Sequence, residues 1–305
     1  MTILMYNPFV KGDGYMYYLL LAFASVLLAA DFALNKIYQK ENGTSYEAGY
    51  RFNTLMGLFT AIIFLAANRF EFEFTWYSCI MAFLMTVFAT SYNLIGFRLL
   101  KDGSMAMYTL FLMAGGMVVP YAVGIAFLHE QITLMRIFAL VLILAGVIIP
   151  NCTDKDFNKK HIAMYVTVFF LNGMVSVVSK LHQMDIGFEA VSTSQYVCIK
   201  SIIRFLSAGA IYLCIKSKNH TPCQRQRRFS FTILVVLLSS IVSGGSYFLQ
   251  LVGAANLPAS VLYPFVTGGS IVFSSVTGVI VFKEKLSSKL IISLGLCTLG
   301  TIMFL

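Results

Sequence analysis

Runs of about twenty residues without a charged side chain recur along the whole chain, each long enough to cross a ~30 Å hydrocarbon slab as a helix. Backbone polar groups inside a bilayer find no water, so such a run must satisfy them internally, as a helix does. Ten spans fit the pattern, roughly 15–38, 48–68, 75–97, 103–127, 131–150, 160–182, 190–216, 229–252, 256–282 and 285–305. Only 11% of the 305 residues are charged, too few to cover a water-facing surface. The expected fold class is an all-α integral membrane protein with ten transmembrane helices, multi-pass in the cell membrane and in contact with the lipid bilayer. The net charge of +9 gives no reason to expect a nucleic acid partner, because basic residues gather in short loops for topological reasons. Six cysteines form no CxxC pair and mostly fall inside apolar spans, where they act as buried, polarizable side chains.

The chain repeats itself. Gly124, Glu130 and Gly146 recur as Gly278, Glu284 and Gly300, each displaced by 154 positions. Ser91–Tyr92 matches Ser246–Tyr247, and Tyr108 matches Tyr263, at an offset of 155; Lys36 and Gln39 match Lys180 and Gln183 at 144. The chain thus reads as two five-helix units, residues 1–152 and 153–305. Five is odd, so the second unit enters the membrane from the opposite side. That makes an inverted repeat around a central cavity, an arrangement common in secondary transporters. Ile137–Pro150 and Leu290–Leu305 are almost wholly apolar and read as struts packed on lipid and on each other. Glu130 and Glu284 are placed to complement the dipole at the start of those strut helices. Pro120 and Pro264 are expected to bend the fourth and ninth spans.

Two five-helix halves, each with Glu opening its last helix and glycine within it, resemble the drug/metabolite transporter superfamily, and within it the EamA-type branch. The likeness rests on His129–Glu130 with Gly146, Lys283–Glu284 with Gly295 and Gly300, Lys36 ending the first span and Arg51 opening the second. The glycine that usually precedes Glu is missing in both halves. The resemblance implies a ten-helix carrier of small metabolites that works by alternating access, without ATP hydrolysis or cofactor and with cytoplasmic termini. Basic residues point the other way. They crowd into loops after odd-numbered spans, among them Lys155, Lys159, Lys160, Arg225, Arg227 and Arg228, which places the termini outside the cytoplasm.

Polar side chains at membrane depth mark the candidate site, since each must face protein or a wet cavity. The first span carries Asp31, Asn35 and Tyr38 along one face, the third Thr86, Thr90 and Asn93, with Tyr92 beside them. The sixth carries Asn172, Ser176 and Lys180; the eighth Ser239, Ser243, Ser246 and Gln250, with Tyr247; the ninth runs from Ser260 through Tyr263 to Thr277. Tyr108 matches Tyr263 and is a further cavity candidate. Many of these hydroxyls also suit plain helix–helix packing. Asp31 is the sharpest position: a carboxylate there suits proton coupling or a cationic substrate, or else an ion pair with Lys36, Arg51, Lys200 or Arg204. Lys200 and Arg204, one turn apart, either attract an anion or snorkel toward the interface.

The function expected is secondary active transport of small metabolites, amino acids or drug-like molecules, in the direction of export, with a small-molecule substrate and a monomeric or homodimeric state. A channel or lipid-handling protein is the alternative. An enzyme is not expected: the histidines His129, His161, His182 and His220 fall at span ends or in loops, without an HExxH motif, and no G-x-x-x-x-G-K-[ST] loop exists.

Overall fold

The computed structural model describes residues 14–43, 45–102, 105–151, 161–185, 187–218, 229–283 and 288–305. Among these residues it is all helical, with ten α-helices. They are α1 (Gly14–Asn42), α2 (Tyr46–Ala67), α3 (Trp76–Asp102), α4 (Met105–Ala126), α5 (Leu134–Asn151), α6 (Ile162–His182), α7 (Thr193–Lys218), α8 (Phe229–Asn256), α9 (Ala259–Phe282) and α10 (Ser288–Ile302). Eight of them, all but α5 and α10, are long and apolar enough to cross a membrane. That makes the chain a multi-pass membrane protein by length and composition. The 15 residues described for α10 rise about 22 Å.

Long-range contacts fix two ends of the bundle. At one end Asn42 donates to Thr232 (3.5 Å) and the Lys36 ammonium lies 4.4 Å from the centre of the Phe282 ring. Lys40, Lys216 and Lys283 are exposed there, so we call it the basic end. At the far end Tyr77 donates to the Leu181 carbonyl (3.1 Å), and Ser194 donates to Asn68 (2.6 Å).

Helix α5 lies against α10, and two glycines set their separation. A Cβ on Gly146 would fall 2.6 Å from the Cys297 sulfur and 3.0 Å from the Ser293 carbonyl; one on Gly300 would fall 2.7 Å from Ile143 and 2.8 Å from the Ala139 carbonyl. The space is used: Ser293 donates to the Gly146 carbonyl at 2.6 Å. The outward faces of this pair carry exposed Phe138, Val141, Ile291 and Leu299. Strut-on-strut packing is what the apolar runs predict. This pair belongs to a buried core that joins α1, α4, α5, α8, α9 and α10 through Leu21, Met117, Ile143, Ala254, Leu262 and Cys297.

Glu130 does not cap its own helix. After α4 the chain turns through His129, held in the left-handed region (φ 53°), and Glu130 N–H returns to the Gly124 carbonyl at 3.0 Å. The carboxylate then reaches α9, accepting from Ala259 N–H (2.7 Å) and Ser260 N–H (2.9 Å). The cap residue of α9 is Pro258, which has no side chain able to accept these bonds, so the acid is supplied from the other half. Gly124 makes room: a Cβ there would lie 2.6 Å from Glu130 Oε2. Glu284 lies outside the described residues. Of the cysteines, Cys198 and Cys297 are buried as expected, Cys214 is exposed, and Cys152 and Cys223 lie outside the described residues.

Candidate functional site

A cavity of about 170 Å³ lies between α2, α3 and α7, with α6 contributing Val175. Helix α2 supplies Tyr50 and Asn53, α3 supplies Thr86, Thr90, Tyr92 and Asn93, and α7 supplies Lys200, Arg204, Ser207 and Ala208. Helical spacing explains the set: Thr86, Thr90 and Asn93 share one face of α3, while Lys200, Arg204 and Ser207 share one face of α7. Asn53 stands in the second turn of α2 and Arg204 about midway along α7, so the cavity occupies the half of the bundle nearer the basic end.

Two cations face this space. Arg204 donates through Nη2 to the Asn53 side-chain oxygen Oδ1 and approaches the Met56 sulfur at 3.8 Å. The Lys200 ammonium stands 3.3 Å above the Tyr247 ring centre, a cation–π contact, and meets no hydrogen-bond acceptor among the described residues. Snorkelling toward headgroups does not describe these two side chains. Both turn into the interior, because their stems leave the mid-helix face that α2 and α3 cover.

Asp31 is buried on α1, outside the cavity wall, at 7% exposure. It feels the Arg204 guanidinium and the Ser239 and Ser243 hydroxyls, and its Oδ1 has no hydrogen-bond partner among the described residues. Asp31 therefore belongs to the electrostatics of the site without lining it. Asn35 donates back to the Asp31 carbonyl (3.0 Å), and Gln250 donates to Ser246 (3.1 Å).

Several residues of the remaining polar stripes are spent on contacts between helices, while Ser270, Ser274 and Thr277 bond back to carbonyls of their own helix. Asn172 donates to the Leu112 carbonyl (2.7 Å), Ser176 to the Gly116 carbonyl (3.4 Å) and Ser246 to the Ala24 carbonyl (2.7 Å). Tyr263 donates to the Ser176 carbonyl, and the Tyr108 ring fills the space over Gly96. Tyr247 touches the site from behind, its hydroxyl 3.0 Å from Ser179 while its ring carries Lys200. Of the expected polar faces, only that of α3 opens on the cavity. The physical reason is that a carbonyl on a neighbouring helix satisfies a buried hydroxyl or amide as well as a wet cavity does. The sequence does not single out Tyr50, Asn53 and Ser207; Asn53, beside Arg51 and Thr54 in the first half of α2, is the signal that marks that helix.

The far end of the bundle is knitted by side chains. Lys180, at the end of α6, donates to the Ala254 (2.6 Å) and Leu257 (2.7 Å) carbonyls, which close α8. Together with Glu130 on the first amides of α9, this holds the α8–α9 turn from both sides. Nearby, His182 Nε2 lies 2.9 Å from the Ser78 hydroxyl, and its ring stacks on Tyr196 with centroids 3.6 Å apart.

Neither a family model nor a curated protein matches the chain. A solved structure described only as a crystal structure of a protein superposes on it with a TM-score of 0.73, covering 94% of this chain and 96% of that one, at 15% sequence identity. At that identity the likeness carries the fold alone: the matched part of the chain shares an architecture already seen in a crystal.

Proposed function

We propose that the chain is a secondary transporter of the drug/metabolite type, with ten spans arranged as two inverted five-helix repeats, moving a small molecule by alternating access. The carrying observation is the one-sided polar cavity: cations, amides and hydroxyls in the basic half, against a far end tied by Glu130, Lys180 and the His182 cluster. A carrier caught with its site toward one face has this arrangement.

The helix pairing supports the repeat. Exchanging α1–α5 for α6–α10 in order turns α1·α8 into α3·α6, α1·α9 into α4·α6 and α2·α8 into α3·α7, and each of these pairs is in contact. The pairs α2·α7, α4·α9 and α5·α10 map onto themselves, as contacts on a two-fold axis must. Export is the direction we assign, from a site facing the basic end.

The test is uptake into proteoliposomes holding the purified chain. A carrier gives saturable flux that follows an imposed substrate or proton gradient. Unsaturable flux at channel rates favours the channel reading, and lipid scrambling without solute flux favours the lipid-handling one.

A further inference from the structure

The charge inventory of the cavity narrows what it holds. Two cationic side chains, Lys200 and Arg204, line it, and none of the described lining residues is acidic. Arg204 is partly offset by Asp31, which lies behind the wall. Lys200 has only the Tyr247 ring, whose quadrupole attracts a cation without neutralising it. With Lys200 protonated, the cavity presents roughly one uncompensated positive charge, which is costly to bury until a counter-charge arrives.

The rest of the lining is neutral and hydrogen-bonding. Asn93 makes no hydrogen bond among the described residues, and its amide both donates and accepts. Thr90 and Ser207 stand near it on the wall, with Ala89, Val175 and Ala208 as the apolar part. Size adds a limit: a cavity of about 150 Å³ holds benzene, so one of about 170 Å³ takes roughly six to eight non-hydrogen atoms.

We infer that this site, on the carrier reading above, takes a small monoanionic carboxylate with a neutral hydroxyl- or keto-bearing body, its carboxylate between Lys200 and Arg204 and its polar body on Asn93. A zwitterionic amino acid fits less well, because its ammonium would face two cations with no lining acid to receive it. A phosphate ester brings more negative charge than the site balances. A cationic drug is repelled outright.

Binding and flux are read separately. Purified full-length protein in detergent is warmed with lactate, 3-hydroxybutyrate, alanine, glycerol 3-phosphate, glycerol, choline or chloride, each at matched ionic strength; a ligand that binds the folded state raises its melting temperature. The same compounds compete for uptake of labelled lactate in proteoliposomes. Lactate and 3-hydroxybutyrate are expected to stabilise the protein and to compete, with alanine, glycerol and choline at least tenfold weaker. Lys200→Met is expected to raise the KM for lactate at least tenfold and abolish the thermal shift, while Lys200→Arg retains both. The wild-type selectivity decides the matter even if Lys200→Met does not fold. Stabilisation by alanine or choline in preference to the hydroxyacids overturns the inference, as does stabilisation by chloride equal to that by lactate, or no shift from any monoanion. If alanine or choline shows saturable flux, the carrier reading stands while this one falls. If lactate binds but crosses unsaturably, the site assignment stands and the carrier reading falls.

Discussion

At Glu130 one carboxylate accepts two backbone N–H bonds from the first turn of α9, which its own Pro258 leaves without a side-chain cap. Glu130→Ala strands both donors in a largely buried turn, an expected loss of about 1–3 kcal/mol. Unfolding of the variant in detergent by denaturant measures it, and a midpoint equal to wild type removes the claim. Gly124→Ala is expected to act in the same direction, since its new methyl occupies the carboxylate's place. Lys180→Met leaves two carbonyls of the same turn unpaired, so the Glu130→Ala/Lys180→Met double variant is expected to lose less than the two single losses added together. Asp31 is the other residue whose role one substitution settles. On the proton-coupling reading, Asp31→Asn removes the pH dependence of transport while substrate still exchanges; transport with an unaltered pH profile rules that reading out. The sequence marks Glu130, Lys180 and Asp31 as unusual, yet it does not say what the first two hold. Their partners lie 129 and 74 residues away, at a helix end that only folding brings near.

Among the elements, α5 and α10 show how far a repeat can be read. The apolar endings are expected to pack on each other, and the structure sets Gly146 and Gly300, which share a common offset, each against the opposite strut. Cys297 and Ile143, themselves 154 positions apart, face each other across the pair. Gly146→Val and Gly300→Val are therefore expected to force the struts apart at a cost of about 1–3 kcal/mol each. Limited proteolysis of the 128–133 connection is expected to become faster in both variants; unchanged cleavage shows that the glycines do not set the spacing. The polar stripes of α1, α6, α8 and α9 had a less direct outcome. Periodicity identifies a face that avoids lipid, but a helix interface and a cavity both qualify, and Asn172, Ser176 and Ser246 chose the interface.

For the whole molecule, orientation is the property most open to a direct test. By the positive-inside rule the basic end, and with it the cavity, is expected to face the cytoplasm. Single cysteines placed in 216–228, in a background whose native cysteines have been replaced, are then expected to be protected from impermeant thiol reagents in intact cells and labelled after permeabilisation. Labelling in intact cells turns the molecule over. The membrane class and the ten helices were legible in the sequence, because they depend on local quantities: the length of apolar runs and the scarcity of charge. Which polar residues gather at one place was not legible. Lys200 and Arg204 became cavity residues because α2 and α3 pack over that face of α7, whereas Tyr108, Asn172 and Tyr263 met neighbouring helices first. Sequence determines what each helix must hide from lipid; only the packing of one helix against another decides whether it is hidden in protein or in a pocket.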